Sequence, residues 1–250
     1  MEPSEGKSAV RDYWEAEPCA AGVSEAPFQT PAFYRDVAAA KDRLDPKRVA
    51  FAGFDAVADR DVLEIGIGLG VDFMRFARGG ARATGVDLTL AAVDSARALL
   101  ELEGLEATVL VADAEALPFD EQQFDVVYSW GVLHHTPDTA KAVQEVHRVL
   151  RHGGEARIML YALDSPFAGA VWLRQLARER RPLGMRAALS RGLESPGTQA
   201  FTSSEVKQLF AAFDEVELTR VVTAYDRRVL GPLARVGNRG WFHLIRARKR

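Results

Sequence analysis

The chain has 250 residues, of which 48% are hydrophobic and 27% charged, and its formal net charge is −3. This composition is that of a globular protein with room for one large α/β domain and an insertion. No apolar run approaches the roughly 18 to 20 residues of a membrane span, and the start M-E-P-S-E-G-K is too polar for a signal peptide. We therefore expect a cytoplasmic protein. Cys19 is the only cysteine, which excludes an intramolecular disulfide and a zinc site made of cysteines.

The charge is distributed unevenly. Residues 220–250 hold nine Arg or Lys against one Asp, so the other residues carry a net charge of about −11. A basic C-terminus is compatible with nucleic acid or an anionic substrate, but no nucleic-acid motif accompanies it, and a solvated basic face is the better interpretation. The acidic main body would also repel a nucleic-acid backbone.

Residues 1–60 precede the first strong strand and carry scattered prolines between short helical patterns. Tyr13 and Trp14 lie in an amphipathic stretch, and a second aromatic group follows near residues 28–34. Large aromatic side chains so near a terminus must be buried against something. A lid over a ligand and simple packing of an N-terminal helix both account for them.

The stretch V-L-E-I-G-I-G-L-G at residues 62–70 predicts a strand, a glycine-rich turn and then a helix. Gly66, Gly68 and Gly70 let the backbone approach a ligand closely. The spacing misses the dinucleotide pattern G-x-G-x-x-G by one residue, and two carboxylates, Glu64 and Asp72, disfavour a pyrophosphate at the helix N-terminus. They suit S-adenosylmethionine, which carries a sulfonium, an ammonium and an adenosine but no phosphate.

A second strand, R-A-T-G-V-D-L, ends at Asp87, and an Ala- and Leu-rich helix follows over residues 89–103. An acid at the end of the second strand is where Rossmann-type sites bind ribose hydroxyls. A third strand, A-T-V-L-V-A-D, ends at Asp113. Strands that alternate with helices at this spacing predict a parallel sheet with right-handed crossovers.

The fourth strand is predicted at residues 124–130, and it leads into G-V-L-H-H-T-P-D. Asp138 or Thr139 is expected to cap the next helix, and Gly153 or Gly154 to end it in the R-H-G-G stretch. The fifth strand, E-A-R-I-M-L-Y, ends at Tyr161.

Residues 62–161, about 40% of the chain, resemble the class I S-adenosylmethionine-dependent methyltransferases, in the type 11-like branch that acts mostly on small molecules. The motifs E-x-G-x-G-x-G, L-P-F-D, S-W-G-V-L-H-H and H-R-V-L-R-H-G-G follow in family order. The resemblance implies an enzyme with a Rossmann-like seven-stranded sheet, its last strand antiparallel, and helices on both faces. It also implies the cofactor S-adenosylmethionine. Asp87 is expected at the ribose, Asp113 at the adenine, and Ser129 to Gly131 at the methionine end. The full set of expected cofactor contacts is Glu64, Gly66, Gly68, Gly70, Asp72, Asp87, Leu88, Asp113, Ala114, Ser129, Trp130, Gly131 and Tyr13.

About forty residues separate Tyr161 from the next helix, S-S-E-V-K-Q-L-F, for which Ser203 or Ser204 is the expected cap. A connection this long tends to be a functional lid or binding segment. We therefore divide the chain into an N-terminal lid (residues 1–60), the cofactor-binding core (61–161), a helical substrate cap inserted after strand five (162–202), and the completion of the core sheet with the basic C-terminus (203–250). The last two strands, joined by the basic linker 225–240, are expected to form an antiparallel pair.

Methyl transfer is an in-line displacement in which positioning and desolvation carry most of the catalysis, and a base is needed only if the nucleophile keeps a proton. His135 and His134 follow the fourth strand, and Tyr161 ends the fifth. These three residues are the candidate catalytic groups, although each could instead be structural. A histidine pKa near 6.5 predicts a rate that rises with pH through that value.

The fourth strand lacks the N/D-P-P-Y/F tetrad of the adenine-N6 and glutamine methyltransferases, and one cysteine is too few to hold arsenite. O- or C-methylation of a small molecule is therefore the predicted activity. An RNA-directed methyltransferase and a non-catalytic S-adenosylmethionine-binding protein stay as alternatives. The acceptor and the oligomeric state have no signature in the sequence.

Overall fold

The computed structural model describes residues 3–180, 182–231 and 239–250. Their central feature is a seven-stranded sheet with the strand order β3-β2-β1-β4-β5-β7-β6. The strands are β1 (Asp61–Ile65), β2 (Arg82–Asp87), β3 (Thr108–Val111), β4 (Phe124–Trp130), β5 (Leu150–Tyr161), β6 (Glu215–Val221) and β7 (Phe242–Arg248).

Strands β1 to β5 pair in parallel, whereas β7 lies antiparallel between β5 and β6. This confirms the predicted Rossmann-like methyltransferase sheet with its antiparallel last strand. Crossover helices cover parallel sheets on both faces, which is why the central strand β4 reads as an almost continuous apolar run. Its residues are buried at nearly every position.

The helices are α1 (Pro3–Ala16), α2 (Pro31–Leu44), α3 (Pro46–Ala52), α4 (Val71–Arg78), α5 (Leu90–Glu103), α6 (Thr139–Val149), α7 (Pro166–Glu179), α8 (Met185–Gly192), α9 (Ser203–Leu209) and α10 (Ala224–Leu230). In the part of the chain that the structure describes, no helix has the length and apolarity needed to span a membrane.

Alternate strand residues enter two separate hydrophobic clusters, because side chains of a strand point to opposite faces of the sheet. Val62 and Val126 belong to the cluster that contains Phe73 of α4. Leu63 and Val127 belong to the cluster on the other face, which the helices α6 and α9 complete. Both faces of the sheet are therefore covered.

Side-chain caps begin several helices. Thr89 caps α5 by accepting a hydrogen bond from the Ala92 N–H, and Asp138 caps α6 by accepting one from the Lys141 N–H. The prediction for α9 was wrong by one residue: Thr202, not Ser203 or Ser204, is the cap. Thr202 and Glu205 exchange hydrogen bonds in a capping box, which satisfies more of the free N–H groups than a lone serine would.

The prediction that Gly153 or Gly154 ends α6 was also wrong. The helix ends at Val149, and Leu150 is already extended. The pairing of β4 with β5 jumps from Phe124–Leu150 to Val126–Glu155, so the glycines lie in an irregular part of β5. Gly153 has φ +80° there, and its N–H donates to the Lys249 carbonyl in a 2.6 Å hydrogen bond. These glycines shape a strand bulge, where positive φ is common.

The insertion after β5 packs as part of the main body. Helices α7 and α8 confirm that the insertion predicted after strand five is helical. The two ends of the insertion meet in a parallel bridge between Ala162 and Phe201, and Gln199 donates its backbone N–H to the His134 carbonyl at 2.8 Å. The basic linker contains α10, and its residues 232–238 lie outside the described residues. The insertion thus reaches the end of β4, where the candidate site lies.

Candidate active site

A cavity of about 1120 Å³, including the space at its mouth, opens at the carboxyl ends of the parallel strands β1, β2 and β4. Open α/β sheets bind ligands in this position. Helix α1 covers the cavity and contributes Lys7, Val10 and Trp14 to its lining, while Lys41 comes from α2. Nine of the predicted residues line it: Gly66, Gly68, Asp87, Leu88, Asp113, Ala114, Trp130, Gly131 and His135.

The glycine-rich turn forms the floor of the cavity. The φ angles of Gly66, Gly68 and Gly70 are +80°, +51° and +82°. Residues other than glycine rarely adopt this left-handed region. A Cβ on Gly66 would lie 2.1 Å from Val132, and one on Gly70 would lie 2.9 Å from the backbone of Ala96. A Cβ on Gly68 would meet no atom within 4 Å. Gly66 and Gly70 are thus required for packing, whereas Gly68 keeps space open for a ligand.

Asp87 is held at the end of β2 by the turn itself. One carboxylate oxygen accepts the Gly68 N–H at 3.0 Å, and the other accepts the backbone N–H and the hydroxyl of Thr89 at 3.0 and 2.9 Å. Burial raises the pKa of Asp87, and these hydrogen bonds oppose the rise. Since two carboxylate oxygens offer about four lone-pair positions, Asp87 retains capacity to accept from a ligand hydroxyl.

Glu64 lies behind the turn, on β1, and is almost completely buried. Its Oε2 atom has no hydrogen-bond partner among the described residues. Burial raises the pKa of Glu64 to about 8, and the positive charges of Lys41 and Arg48 oppose the rise only in part. An unpaired buried carboxyl group is costly, so this atom is a candidate partner for a cationic ligand.

Asp72 does not serve the cavity as predicted. It is buried in the first turn of α4, and its carboxylate pairs with Arg48 and, at 3.2 Å, with Lys41. Its partners come from the N-terminal segment, and Asp72 is absent from the cavity lining. Because Arg48 and Lys41 offset its charge, only Glu64 remains of the two carboxylates in the sequence argument against a pyrophosphate.

Asp113 and Glu115 share one cation from the helix above them. Lys7 of α1 lies 2.7 Å from the Asp113 carboxylate and 2.6 Å from that of Glu115. The second oxygen of Asp113 accepts the backbone N–H of Glu115 at 2.8 Å. The acid expected at the adenine therefore lines the cavity, but an N-terminal lysine already bonds it.

Two of the three residues expected at the methionine end line the cavity. Trp130 and Gly131 do so, whereas Ser129 is fully buried and donates its hydroxyl to the Ile65 carbonyl at 3.0 Å. The alternation of β4 explains the difference, because neighbouring residues of a strand point to opposite faces. Ser129 is therefore a link between β4 and β1.

Trp14 of α1 lines the cavity, whereas Tyr13, the residue predicted to contact the cofactor, does not. The Tyr13 ring packs edge-on against Trp14 at 4.9 Å between centroids, and Trp14 packs edge-on against His135 at 5.3 Å. The sequence placed both aromatic residues in one helix but could not tell which faced inward.

The three candidate catalytic groups lie together, but only His135 lines the cavity. The His134 ring is fully buried 3.8 Å from the Tyr161 ring, and neither of its nitrogens has a partner among the described residues. Burial, and then the neighbouring His135, lowers the pKa of His134 well below its usual value. Burial raises the pKa of Tyr161 far above its usual value, and its hydroxyl donates to Glu194 at 3.3 Å. His134 and Tyr161 are therefore packing residues in this arrangement.

His135 is nearly buried, and this lowers its pKa to about 3. Its Nδ1 atom lies 2.9 Å from the hydroxyls of both Ser195 and Thr198. The imidazole is consequently neutral throughout the physiological range, and the predicted rise in rate with pH near 6.5 does not follow from this environment.

The polar residues at the site that the sequence did not single out are basic or hydroxylic: Lys7, Lys41, Thr89, Ser195 and Thr198. Thr89 directly follows the second strand, whereas the other four lie far along the chain from the motifs that they meet. For Lys7 and Lys41, the excess of acids in the motifs was a signal, since a cluster of carboxylates is stable only with cations nearby.

The lining fits S-adenosylmethionine. Gly68 leaves open space, and Asp87 can accept from ribose hydroxyls. Glu64 does not line the cavity, but its unpaired carboxyl oxygen is buried directly before the turn. Lys41 supplies a cation beside them for the cofactor carboxylate.

Comparison with known proteins agrees with this geometry. Residues 63–158 match the family described as methyltransferase domain. An uncharacterized methyltransferase of Bacillus subtilis, YcgJ, is 34% identical over 133 residues, or 52% of this chain and 51% of that protein. A ubiquinone biosynthesis O-methyltransferase of Alkalilimnicola ehrlichii is 35% identical over 113 residues, or 45% of this chain and 44% of that one. The chain thus spans about half the length of these relatives.

The fold itself extends over nearly the whole chain. An N-methyltransferase of Haemonchus contortus, solved with phosphomonomethylethanolamine and S-adenosylhomocysteine, superposes with a TM-score of 0.65 at 14% identity. The superposition covers 96% of this chain and 60% of that one. The likeness establishes the fold of the regions outside residues 63–158.

Proposed function

Because this chain carries a class I S-adenosylmethionine-dependent methyltransferase domain, we propose that it transfers a methyl group from S-adenosylmethionine to the hydroxyl oxygen of a small, partly apolar acceptor. The observation that carries the proposal is the single cavity that contains both the Gly68 and Asp87 turn and a neutral His135. The cofactor supplies an activated methyl group when bound, and the residues of this chain supply position and a proton acceptor.

The cofactor contacts are assigned by charge. Asp87 accepts hydrogen bonds from the ribose hydroxyls. Asp113 accepts one from the adenine amino group after Lys7 releases one of its carboxylate oxygens. Glu64 lies on the side of the ammonium, and Lys41 on the side of the carboxylate. Leu88 and Ala114 provide apolar contacts beside the adenosine. Each assignment pairs a donor with an acceptor or a cation with an anion.

The acceptor is placed between α1 and the insertion at residues 162–202. Trp14 and Trp130 line the cavity from two sides, and Ser195 and Thr198 of the insertion contact His135. This keeps the proposed roles of the N-terminal lid and the substrate cap. An apolar, water-poor surrounding strengthens the electrostatic contacts and excludes hydrolysis.

His135 accepts the proton of the acceptor hydroxyl. The hydroxyl oxygen becomes strongly acidic as its bond to the methyl carbon forms, so a base of low pKa is sufficient at that stage. A histidine at this position is useful only if the nucleophile carries a proton, as a hydroxyl group does. The name of the Alkalilimnicola ehrlichii relative, an O-methyltransferase, supports the same choice.

The experiment that tests this function measures S-adenosylhomocysteine formed from S-adenosylmethionine with a library of hydroxylated metabolites and, separately, with an RNA pool. We expect turnover with members of the metabolite library and none with RNA. Turnover with RNA alone would replace the proposal by the RNA-directed alternative. Binding of S-adenosylmethionine without turnover of either pool would support the non-catalytic alternative.

The role of Lys41 is tested by a pair of ligands. S-adenosylhomocysteine has the amino-acid carboxylate, and 5′-methylthioadenosine lacks it. We expect Lys41→Met to weaken S-adenosylhomocysteine roughly tenfold or more, the usual scale for a hydrogen bond to a charged group, and to leave 5′-methylthioadenosine unchanged within a few-fold. Equal losses for both ligands in calorimetry would mean that Lys41 acts only by pairing with Asp72.

A further inference from the structure

Two hydroxyl side chains of the insertion meet one nitrogen of His135. Ser195 and Thr198 are both buried, and their oxygens each lie 2.9 Å from Nδ1. The two oxygens are 3.2 Å from each other. The described residues provide no hydrogen-bond partner for Nε2, the other ring nitrogen, while His135 itself lines the cavity.

The proton of Thr198 is already used. Its hydroxyl donates to the Ser195 carbonyl at 2.7 Å, the shortest contact of the group, and a carbonyl oxygen can only accept. A hydroxyl has one proton and two lone pairs, so Thr198 Oγ1 meets Nδ1 as an acceptor. Nδ1 must then carry the proton of the neutral imidazole and donate it.

The contact with Ser195 agrees with this assignment. If Nδ1 carries the proton, it donates toward both oxygens at equal distance, and the Ser195 hydroxyl can donate to Thr198. If Nδ1 lacked the proton, its single lone pair would face two oxygens. A lone pair of one oxygen would then face the lone pair of Nδ1, or the Thr198 hydroxyl would have to give up its hydrogen bond to the Ser195 carbonyl.

We propose that Ser195 and Thr198 are positioning residues that hold His135 in the tautomer protonated at Nδ1, so that the unprotonated Nε2 is presented to the acceptor in the cavity. The inference rests on the proposed function in one respect, namely that Nε2 takes a proton there. It gives the insertion a defined role: its Ser195 to Thr198 loop selects the reactive form of a base that follows β4.

The tautomer can be observed without any acceptor. Long-range ¹H–¹⁵N spectra of histidine-labelled protein distinguish protonated from unprotonated ring nitrogens, and His135→Gln identifies the His135 signals among five histidines. We expect the wild-type protein at pH 7.5 to show His135 protonated at Nδ1 and unprotonated at Nε2. The reverse pattern would overturn the proposal.

Variants test whether the hydroxyls cause the tautomer. Ser195→Ala with Thr198→Val removes both oxygens at nearly constant volume, and we expect a mixed population in which Nε2 is protonated in part. Thr198→Ser keeps the hydroxyl and should keep the wild-type pattern. If the double variant remains folded, as judged by its melting temperature, and keeps the wild-type tautomer, the two residues are not its cause.

Kinetics give the second readout. With an accepted metabolite, the double variant should lose roughly tenfold in kcat because a fraction of His135 carries its proton on the wrong nitrogen, while the calorimetric affinity for S-adenosylhomocysteine stays within a few-fold. Thr198→Ser, which retains the hydroxyl, should keep kcat near the wild-type value. A merely structural role would lower the melting temperature and affinity without moving the tautomer. The spectra stand without turnover, so failure to find an acceptor would affect only the proposed function.

Discussion

Four carboxylates around the glycine-rich turn differ in what neutralises them. Asp72 pairs with Arg48 and Lys41, and Asp113 pairs with Lys7. Asp87 is held by backbone and hydroxyl donors, while Glu64 has an unbonded oxygen among the described residues. Because only unsatisfied lone pairs can receive a ligand, Asp87 is the lining acid most open to the cofactor, while Glu64 keeps an unsatisfied oxygen behind the lining.

Replacement of Asp87 tests the ribose contact. We expect Asp87→Ala to weaken S-adenosylhomocysteine by about 1.5 to 3 kcal/mol, roughly 10- to 100-fold, because it removes a charged acceptor and also loosens the Gly68 N–H. Isothermal titration calorimetry measures the change. Asp94→Ala is the matched control, since Asp94 is an exposed acid on the neighbouring helix. Equal affinities of the two variants would remove the ribose assignment.

The environment of His135 predicts an unusual pH profile for a histidine base. Its pKa of about 3 keeps the imidazole neutral from pH 5 to 8, so we expect no fall in kcat/KM across this range that is due to His135. His135→Ala should turn over at least roughly a hundredfold more slowly, since general bases contribute about 10² to 10⁴, with cofactor affinity within a few-fold. A rate that rises through pH 6.5 and loses this step in His135→Ala would show that the histidine titrates normally.

The turn between β1 and α4 is the element that combines structural and ligand constraints. Gly66 and Gly70 are confined by Val132 and Ala96, whereas Gly68 faces open space. The element therefore separates into two glycines that the fold requires and one that the ligand requires. This separation can be measured.

Gly68→Ala should lower cofactor affinity at least roughly tenfold, because its methyl group enters the space proposed for the ligand. Its stability should fall by about 1 to 2 kcal/mol, the usual cost of a left-handed alanine. Gly104→Ala is the matched control, with φ +62° and open space but a position at the end of α5. The control should lose similar stability in thermal unfolding and no affinity. A Gly68→Ala protein with normal affinity would mean that the cofactor does not approach this turn.

The insertion after β5 is a separate segment of the sequence, but its side chains pack into the hydrophobic core. Ala168 and Leu189 belong to one hydrophobic cluster and Phe201 to the other. Replacing the whole of residues 162–202 by a linker would therefore expose both clusters, and variants of Ser195 and Thr198 are the cleaner test of its role.

At the scale of the whole molecule, buried titratable groups couple stability to pH. Burial lowers the pKa of His135 to about 3 and of His243 to about 4, and it lowers that of His134 as well. Unfolded histidines titrate near 6.5, so between pH 6.5 and 4 the unfolded chain binds protons that the folded protein does not. Glu64, with its raised pKa, has the opposite effect between about 4.5 and 8.

Burial also lowers the pKa of His147. Four histidines against one glutamate predict that the free energy of unfolding falls as the pH is lowered from 6.5 to 5. Each group contributes up to about 1.4 kcal/mol per pH unit. Denaturant unfolding at several pH values measures the slope. His243→Gln should reduce it by about one such increment. An unchanged slope in His243→Gln would show that His243 titrates normally in the folded protein.

Sequence patterns alone predicted the strands of the sheet, the glycine-rich turn, and the place of Asp87 and Asp113 at or just beyond strand ends. These features depend on local periodicity and on glycine φ angles, which neighbouring residues fix. The resemblance of residues 62–161 to a methyltransferase family also came from motifs in chain order. The cap at Thr202 belongs to a local T-S-S-E capping-box pattern that the prediction overlooked. The irregularity at Gly153 involves a hydrogen bond to Lys249, far along the chain, which no local pattern reveals.

Only the tertiary structure decided which side chains reach the cavity. Asp72 is turned away because Arg48, 24 residues earlier in the chain, pairs with it, and Ser129 is turned away by the pleat of β4. The low pKa of His135 and its contacts with Ser195 and Thr198 arise where the insertion, about 60 residues later, folds over the end of β4. Burial and partners of this kind are properties of packing between distant segments, so no local pattern in the sequence specifies them.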